Sequence, residues 1–309
     1  MSTTPLQTPA LHLVQDLRQI IQDVRGRVAA QVNSELTLMY WHIGERINRD
    51  VLDNQRAEYG KQIVAAVSTQ LTWSHFIEIL PLKDDLQREF YITMAAAERW
   101  STRTLRDRID SMLYERTAIS SKPDELIHQE LANLRDNDVM TPELVFKSPY
   151  FLSFTGLTGM YSEKSLEDNL IVHLEQFLLE LGNGFTFVER QKRMIIDGED
   201  FYLDLLFYHR RLHRLIAIDL KLGKFKAQYK GQMELYLRWL EAHEMEQGEE
   251  TPLGLLLCTE GSSEQIELLQ LDKAGIQVAQ YLTELPSREL LQAQIQKSLA
   301  EARQRLGEE

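Results

Sequence analysis

The chain has 309 residues, of which 43% are hydrophobic and 26% are charged, a composition typical of globular proteins and not of disordered or fibrous ones. This length is enough for two domains, each with its own core. The net charge of −13 excludes a surface coated evenly with phosphate-binding cations, and the single cysteine, Cys258, excludes a disulfide framework within one chain.

The segment from Met1 to Gln7 is polar and lacks the basic start and apolar core of a secretory signal. No apolar run approaches the roughly 20 residues that cross a bilayer, and the longest one, residues 253–258, has the length of a strand. We therefore expect a cytoplasmic protein without a membrane partner.

The first half of the sequence has apolar residues at helical spacing. Two amphipathic helices are expected between residues 10 and 51. The further predicted helices lie at 59–71, 83–99, 101–117 and 124–135. Because prolines and a change of character follow, the domain boundary is expected near residue 145, with a helical domain at 1–145 and a second domain at 146–309.

The second half has runs of β-branched and aromatic residues between helical segments. Its predicted elements are, in chain order, a helix at 165–181, strands at 185–195, 201–209 and 214–222, a helix at 229–244, a strand at 254–258, a helix at 263–274, a strand at 276–281 and a helix at 287–306. The first three strands are expected to form a meander, because only short turns join them. The last helix is expected either to pack back on the domain or to pair with another chain.

Basic residues are concentrated in one part of this acidic chain. Between residues 209 and 230 one acid, Asp219, stands against seven basic residues: Arg210, Arg211, Arg214, Lys221, Lys224, Lys226 and Lys230. Such an island predicts contact with a phosphate backbone. Arg103 and Arg106, on the helix expected at 101–117, could also touch phosphate. The alternative for that helix is a solvated face of paired charges.

Alternation along the strand at 214–222 places Asp219 and Lys221 on the same face. The preceding strand carries Asp204, and hairpin pairing can bring it close to Asp219. Two carboxylates and an ammonium among apolar residues need a partner, because each uncompensated buried charge costs several kcal/mol. Mg²⁺ is the natural candidate, with Asp204, Asp219 and the carbonyl of Leu220 as oxygen ligands and Lys221 beside them to orient or help deprotonate the attacking water and offset phosphorane charge.

The spacing of Asp204 and Asp219-Leu220-Lys221 resembles the D…(D/E)xK signature of restriction-like endonucleases, and the surrounding sequence is similar to the YhcG-like nucleases. The segments that carry this second resemblance are 201–226, 161–167, 176–182, 231–233 and 254–258, and in the first half 38–45, 59–61, 71–75 and 99–106. The resemblance implies an all-α N-terminal domain and an α/β restriction-endonuclease-like domain with a central mixed sheet flanked by helices, an α+β chain overall.

The same resemblance implies two further site residues. Glu167 would complete the metal shell from a helix, with Glu175 as the alternative, and Gln232 would bind the metal water or the phosphate, with Tyr236 one turn along. Without the resemblance, Glu167 and Gln232 would be polar residues on exposed helix faces.

The resemblance also implies a winged-helix-like DNA-binding or oligomerisation module in the first half. There the sequence departs from the family, because a helical stretch between the counterparts of 59–61 and 73–75 is missing.

The predicted function is therefore a nuclease that uses Mg²⁺ or Mn²⁺ to hydrolyse phosphodiester bonds, with DNA as partner and a homodimer or higher homo-oligomer as its form. The alternative is a DNA-binding or assembly protein that keeps the nuclease fold without cleaving.

Overall fold

A computed structural model describes residues 19–25, 27–28, 31–32, 34–39, 41–42, 71–120, 124–260 and 264–306 of the chain. The chain divides into two compact units, residues 1–109 and residues 110–309. The second unit therefore begins earlier than the domain boundary expected near residue 145. Across the described ranges, no helix combines the length and the hydrophobicity needed to cross a membrane.

In the first unit, every described residue between 19 and 42 is helical, as the apolar spacing predicted. The helix predicted at 59–71 lies outside the described residues except for its last position. Three helices follow: α1 (Trp73–Ile79), α2 (Asp85–Ala97) and α3 (Thr102–Asp110). α2 begins after Asp84 because that side chain accepts hydrogen bonds from two backbone N–H groups of the first turn, which otherwise lack partners.

The second unit holds the remaining helices and all the strands of the described residues. These are, in chain order, α4 (Leu113–Ser120), α5 (Asp124–Asn137), α6 (Pro142–Val145), β1 (Tyr150–Phe151), α7 (Glu163–Val172), α8 (Leu174–Leu181), β2 (Phe185–Ile196), β3 (Glu199–His209), β4 (Arg214–Lys224), α9 (Ala227–His243), β5 (Leu253–Glu260), α10 (Glu264–Leu268), β6 (Ile276–Leu282) and α11 (Arg288–Leu306). Short 3-10 turns lie at Ser153–Thr155 and Leu271–Ala274.

The six strands form one mixed sheet in the order β1-β6-β5-β4-β3-β2. β2, β3 and β4 pair antiparallel, which confirms the predicted meander, while β4, β5, β6 and β1 pair parallel. A parallel sheet needs cover on both faces, and the apolar β4 and β5 at its centre are accordingly buried along most of their length.

Helices cover both faces of the sheet. On one face α9 packs so closely on β5 that a β-carbon at Gly254 would lie 2.6 Å from Cγ of Met233, and only glycine fits there. Leu206 of β3 belongs to this core. The next residue, Phe207, points to the other face, where its ring packs against Phe177 of α8 with 5.8 Å between centroids.

Three predicted elements differ from the structure. The helix expected at 101–117 is interrupted at Met112, which has a left-handed backbone (φ 54°). The helix expected at 165–181 is interrupted at His173, whose ring packs against Phe154 at 6.2 Å. The helix expected at 263–274 is a short helix and a 3-10 turn. β1 was not predicted, because two residues are too few to show alternation.

The last helix packs back on its own unit. Leu291 and Ile295 of α11 form a small buried cluster with Met112, next to α4. The described residues therefore show packing back, one of the two roles expected for this segment, and pairing with another chain stays a prediction.

A buried ionic group joins α4, α8 and the segment before β1. Nη1 of Arg116 donates to Oε1 of Glu180 at 2.6 Å and to the carbonyl of Pro149 at 3.0 Å. Nζ of Lys147 lies 3.7 Å from the same carboxylate oxygen. The backbone N–H of Phe151, in β1, also donates to that oxygen. Glu180 thus holds two buried cations and the edge strand together.

We predict that Glu180→Gln lowers the free energy of unfolding by about 3 kcal/mol or more near pH 7, because it leaves Arg116 and Lys147 buried beside a neutral group. Burial alone would raise the pKa of Glu180, but Lys147 and Arg116 hold that pKa below its ordinary value. A carboxyl with a lowered pKa stabilises the fold above the unfolded pKa. The difference in free energy of unfolding between the wild type and Glu180→Gln should therefore shrink as the pH falls through the folded pKa. Urea unfolding of both proteins at pH 7 and pH 3 measures this difference.

The control is Glu241→Gln, which breaks an exposed i,i+3 pair with Arg238. An exposed pair contributes at most about 1 kcal/mol. Equal losses in the two variants would contradict the role of Glu180 in holding this group together.

Candidate active site

The antiparallel register of β3 and β4 brings Asp204 and Asp219 together. Leu205 pairs with Ile218, so the next position along the register sets Asp204 opposite Asp219. The described pairing of the two strands ends there. Instead of continuing the ladder, Oδ2 of Asp204 accepts a hydrogen bond from the backbone N–H of Leu220 at 2.8 Å. The strands therefore separate at the two acids, and the side chains fill the opening.

Lys221 lies beside this pair. Its Nζ is 2.7 Å from Oδ2 of Asp219 and 5.3 Å from the ring centroid of Tyr229 in α9. The side chain of Asp219 is 4% exposed and that of Lys221 is 12% exposed. Acid and lysine thus share one face, as alternation predicted, and both are largely withdrawn from water.

Burial changes the protonation of the two acids. Burial, and then the charge of Asp219, raise the pKa of Asp204 to about 7. The pKa of Asp219 is also raised, because burial outweighs the effect of Lys221. Burial would lower the pKa of Lys221, but the charge of Asp219 raises it above its ordinary value. At neutral pH the lysine is therefore an ammonium. Its single positive charge is too little to keep the pKa values of both aspartates in their ordinary range.

Glu167 lies on α7 and joins the pair through a residue that the sequence did not single out. Nε2 of Gln191, in β2, donates to Oε2 of Glu167 at 2.7 Å and to Oδ1 of Asp204 at 3.1 Å. Oε1 of Glu167 accepts from Arg190, which also binds Asp168. Glu167 is thus linked to Asp204 by an amide.

A second unpredicted residue is Glu163, one turn before Glu167 on α7. Its Oε1 accepts from the backbone N–H of Leu222 at 2.9 Å, next to Lys221 in β4. Two features of the sequence point to the missed residues. The polar run at 189–193 breaks apolar alternation in a strand, and two glutamates lie at i,i+4 spacing on one helix.

Gln232 lies near the acids but points its amide at a neighbour on its own helix. Its Nε2 donates to Oη of Tyr236 at 2.6 Å, and Tyr236 donates in turn to the carbonyl of Tyr202 at 3.1 Å. Burial raises the pKa of Tyr236, and the charge of Asp219 adds to that increase. The Tyr236 hydroxyl, which accepts from Gln232, is therefore within the electrostatic influence of Asp219.

The basic residues of the island lie at two ends of β4. Arg210, Arg211 and Arg214 are at the β3–β4 turn, five residues from Asp219, which is roughly 16 Å along a strand. Arg211 donates to the carbonyl of Asp138 at 3.1 Å and pairs with its carboxylate. Arg214 lies 3.7 Å from a carboxylate oxygen of Glu250.

The lysines of the island lie at the other end, after Lys221. Lys224 is exposed and 4.0 Å from Glu260. Nζ of Lys226 is 6.0 Å from the Tyr229 ring that also faces Lys221. Lys230 donates to the carbonyl of Leu269 at 3.1 Å. The island is therefore split between the two ends of β4. Arg214 and Lys224 are each five residues from Asp219, and Lys226 faces the same Tyr229 ring as Lys221.

In the first unit, Arg103 is exposed on α3. Arg106 forms a two-point contact with Glu78, with Nη2–Oε1 at 2.5 Å and Nε–Oε2 at 3.1 Å. Arg106 is thus engaged in an ion pair of its own unit.

The donor set fits a hard divalent cation with few protein ligands. Among the residues that the structure describes, no three His, Cys, Asp or Glu side chains form a ready group of metal ligands. Two carboxylates and the Leu220 carbonyl make a smaller set, which suits Mg²⁺ because that ion keeps several waters. The raised pKa values of Asp204 and Asp219 indicate that this pair is short of positive charge.

Two family models match the chain. The YhcG PDDEXK nuclease domain matches residues 143–299, just over half of the chain. The DUF1016 N-terminal domain matches residues 16–72 and 63–116, two pieces that overlap within the interval where the sequence departs from the family.

Among known proteins, YhcG of Escherichia coli (strain K12), named as a candidate nuclease, is 35% identical over 240 residues, which are 77% of this chain and 63% of that protein. The chain therefore spans less than two thirds of the length of this relative. A repair endonuclease from Pyrococcus abyssi is 20% identical, with a TM-score of 0.29 over 42% of this chain and 50% of that one. EndoMS in a complex with double-stranded DNA is 16% identical, with a TM-score of 0.31 over 42% of this chain and 48% of that one.

We predict that Asp204→Asn stabilises the protein in EDTA at pH 8 by on the order of 3 kcal/mol and changes its stability little at pH 4. The pKa of Asp204 is about 7 in the folded state and about 4 in the unfolded chain. Between these two pH values the native state therefore keeps a proton that the unfolded chain has lost. Stability from this group is therefore lost as the pH rises through that window. The asparagine removes the loss because it carries no charge.

Thermal unfolding across pH 4 to 8 measures this difference. The control is Asp200→Asn on the same strand, whose carboxylate is exposed and paired with Arg193. If the wild-type protein gained stability relative to Asp204→Asn as the pH rises, the predicted sign would be wrong.

Proposed function

Since the chain belongs to the family of the YhcG PDDEXK nuclease domain, we propose that it is a metal-dependent nuclease that hydrolyses phosphodiester bonds of DNA, with Asp204, Asp219 and Lys221 at its reactive centre. The proposed cation is Mg²⁺, or Mn²⁺ in its place. The observation that carries the proposal is the convergence of the buried Asp219 and the half-buried Asp204 from adjacent strands, with the ammonium of Lys221 2.7 Å from Asp219.

In this proposal Asp204, Asp219 and the carbonyl of Leu220 would hold the cation. Glu167, expected to complete the metal shell, would instead support Asp204 from α7, because its two oxygens accept from Arg190 and Gln191. A bound divalent cation would polarise the scissile phosphate and lower the pKa of a water. Lys221 contributes positive charge beside the reacting phosphate. Because its pKa is raised, it offsets charge that develops on the phosphorane and is a poor acceptor for the proton of the attacking water.

Gln232 and Tyr236 complete the polar wall on the α9 side. The hydrogen bond between them orients the Tyr236 hydroxyl, which is held from the other side by a carbonyl of β3. We propose that Gln232 turns its second N–H to a phosphate oxygen or to a water at the site.

DNA contact is proposed first for Lys224, Lys226 and Lys230, because they follow Lys221 along the chain and Lys226 faces the same Tyr229 ring as Lys221. DNA that continues along the sheet is still predicted to contact Arg210, Arg211 and Arg214. In the first unit the predicted DNA contacts are Arg103 and Arg106. Self-association and the cytoplasmic location also stay predictions.

A DNA-binding or assembly protein that keeps the fold without cleaving is the alternative. The intact acids and lysine favour cleavage, because a scaffold has no use for buried charges that are costly without a partner.

We predict that Asp219→Asn and Lys221→Met each lower the rate of plasmid cleavage in Mg²⁺ by about 100-fold or more, because each removes charge at the reacting phosphate. Gel assays of relaxed and linear products measure the rate. The control is Lys273→Met, whose ammonium is held by Gln270 on another part of the unit. Equal cleavage by all four proteins would remove the proposed site, and no cleavage by the wild type would favour the alternative.

We also predict that replacing Lys224 and Lys226 together with Met weakens duplex DNA binding and flattens the dependence of log Kd on log salt by about 2, because each lost phosphate contact contributes about 0.9. The same double change at Arg210 and Arg211 should have a smaller effect, because Asp138 already neutralises Arg211. Fluorescence anisotropy in EDTA at several salt concentrations measures both slopes. A larger change for the arginine pair would place the DNA over the β3–β4 turn.

A further inference from the structure

The amide that joins Glu167 to Asp204 belongs to a residue with an unusual backbone. Gln191 lies inside β2, yet its φ is 50°, in the left-handed region that residues with a β-carbon rarely adopt. Its neighbours keep regular pairing, Arg190 with Leu205 and Lys192 with Leu203. The strand has a register shift earlier, between Phe187 and Glu189, but at Gln191 the pairing on both sides keeps its register. Left-handed residues persist only where the surroundings enforce them.

The side chain of Gln191 uses both N–H groups of its amide. Nε2 donates to Oε2 of Glu167 at 2.7 Å and to Oδ1 of Asp204 at 3.1 Å. The amide nitrogen, and not its oxygen, faces both acids, so that one NH2 group supplies both hydrogen bonds. A primary amide is the one neutral side chain that offers two such donors from a single atom.

All four oxygens of the two carboxylates are occupied by donors. Besides the amide, Arg190 donates to Oε1 of Glu167, and the backbone N–H of Leu220 donates to Oδ2 of Asp204. Glu167 is 5% exposed and lies on α7, which is fixed at its start by the Ser162 hydroxyl. The chain of contacts therefore runs from a helix, through Gln191, to the acid that faces Asp219.

We propose that Gln191 is a positioning residue: its amide, anchored on Glu167, holds the Asp204 carboxylate in the orientation in which it faces Asp219. The inference deepens the proposed function and rests on it, because it takes Asp204 to be a cation ligand. In this role Gln191 does not touch the reacting atoms. The left-handed backbone is what aims the amide at two acids on separate elements at once.

A purely structural role makes a different prediction. If Gln191 served only to let the strand turn, glycine would serve as well, because glycine adopts a left-handed backbone without strain. Gln191→Gly therefore removes the amide and keeps the backbone. Gln191→Asn restores an amide on a residue that tolerates the same region, although the side chain is one methylene shorter.

The test measures Mn²⁺ affinity of the full chain by isothermal titration calorimetry, together with thermal unfolding in EDTA. We expect Gln191→Gly to weaken Mn²⁺ binding about 10- to 100-fold, the usual effect of removing a group that orients a metal ligand. Gln191→Asn should lie closer to the wild type. Raising the Mn²⁺ concentration should restore DNA cleavage by Gln191→Gly. The matched control is Gln277→Leu, a half-buried glutamine of β6 in the same sheet, which should bind Mn²⁺ as the wild type does.

The outcomes separate this inference from the proposed function. Wild-type Mn²⁺ affinity in Gln191→Gly overturns the positioning role even if the enzyme cleaves DNA. Weakened affinity, with Gln191→Asn partly restored and the control unchanged, supports it even if the wild type cleaves nothing and the nuclease proposal fails. A wild type that binds no Mn²⁺ overturns both. A fall in unfolding temperature alone, with unchanged affinity, assigns Gln191 to the fold.

Discussion

Two carboxylates held side by side out of water are the constraint on which the rest of this structure depends. The β3–β4 register sets Asp204 opposite Asp219, and one ammonium, Lys221, stands beside them. Like charges that face each other across two paired strands repel strongly in a medium of low dielectric. The pair therefore either keeps a proton or binds a cation. Without a cation Asp204 keeps its proton up to a pH of about 7, as its raised pKa indicates. A divalent cation would supply the positive charge that lets both carboxylates ionise.

The surrounding fold keeps these groups from moving apart. α9 packs closely on β5 at Gly254, and the same helix places the Tyr229 ring by Lys221 and the Tyr236 hydroxyl at the Tyr202 carbonyl of β3. On the other side α7 brings Glu163 to the backbone of β4 and Glu167 to the amide of Gln191. Rigid elements on both sides are what a preorganised site needs, since a charged pair in a loose pocket would relax into water.

Much of this could be predicted from the sequence, for identifiable reasons. Alternation along β4 assigned Asp219 and Lys221 to one face, and short turns assigned β2, β3 and β4 to a meander. Gln191 escaped prediction because a single left-handed residue breaks the period of two on which strand patterns depend. The basic island looked continuous because sequence distance hides the length of β4, which separates Arg210 from Lys224. β1 is held by the Glu180 carboxylate and by pairing with β6, interactions that no local pattern reveals.

A crystal structure of the protein soaked in Mn²⁺, with the ion located by its anomalous scattering, would test the cation site without any assumption about substrate. We expect one strong peak bridging the carboxylates of Asp204 and Asp219, with Lys221 beside it and not bound to it. A peak elsewhere on the chain, with these two side chains still sharing a proton, would contradict the proposed site.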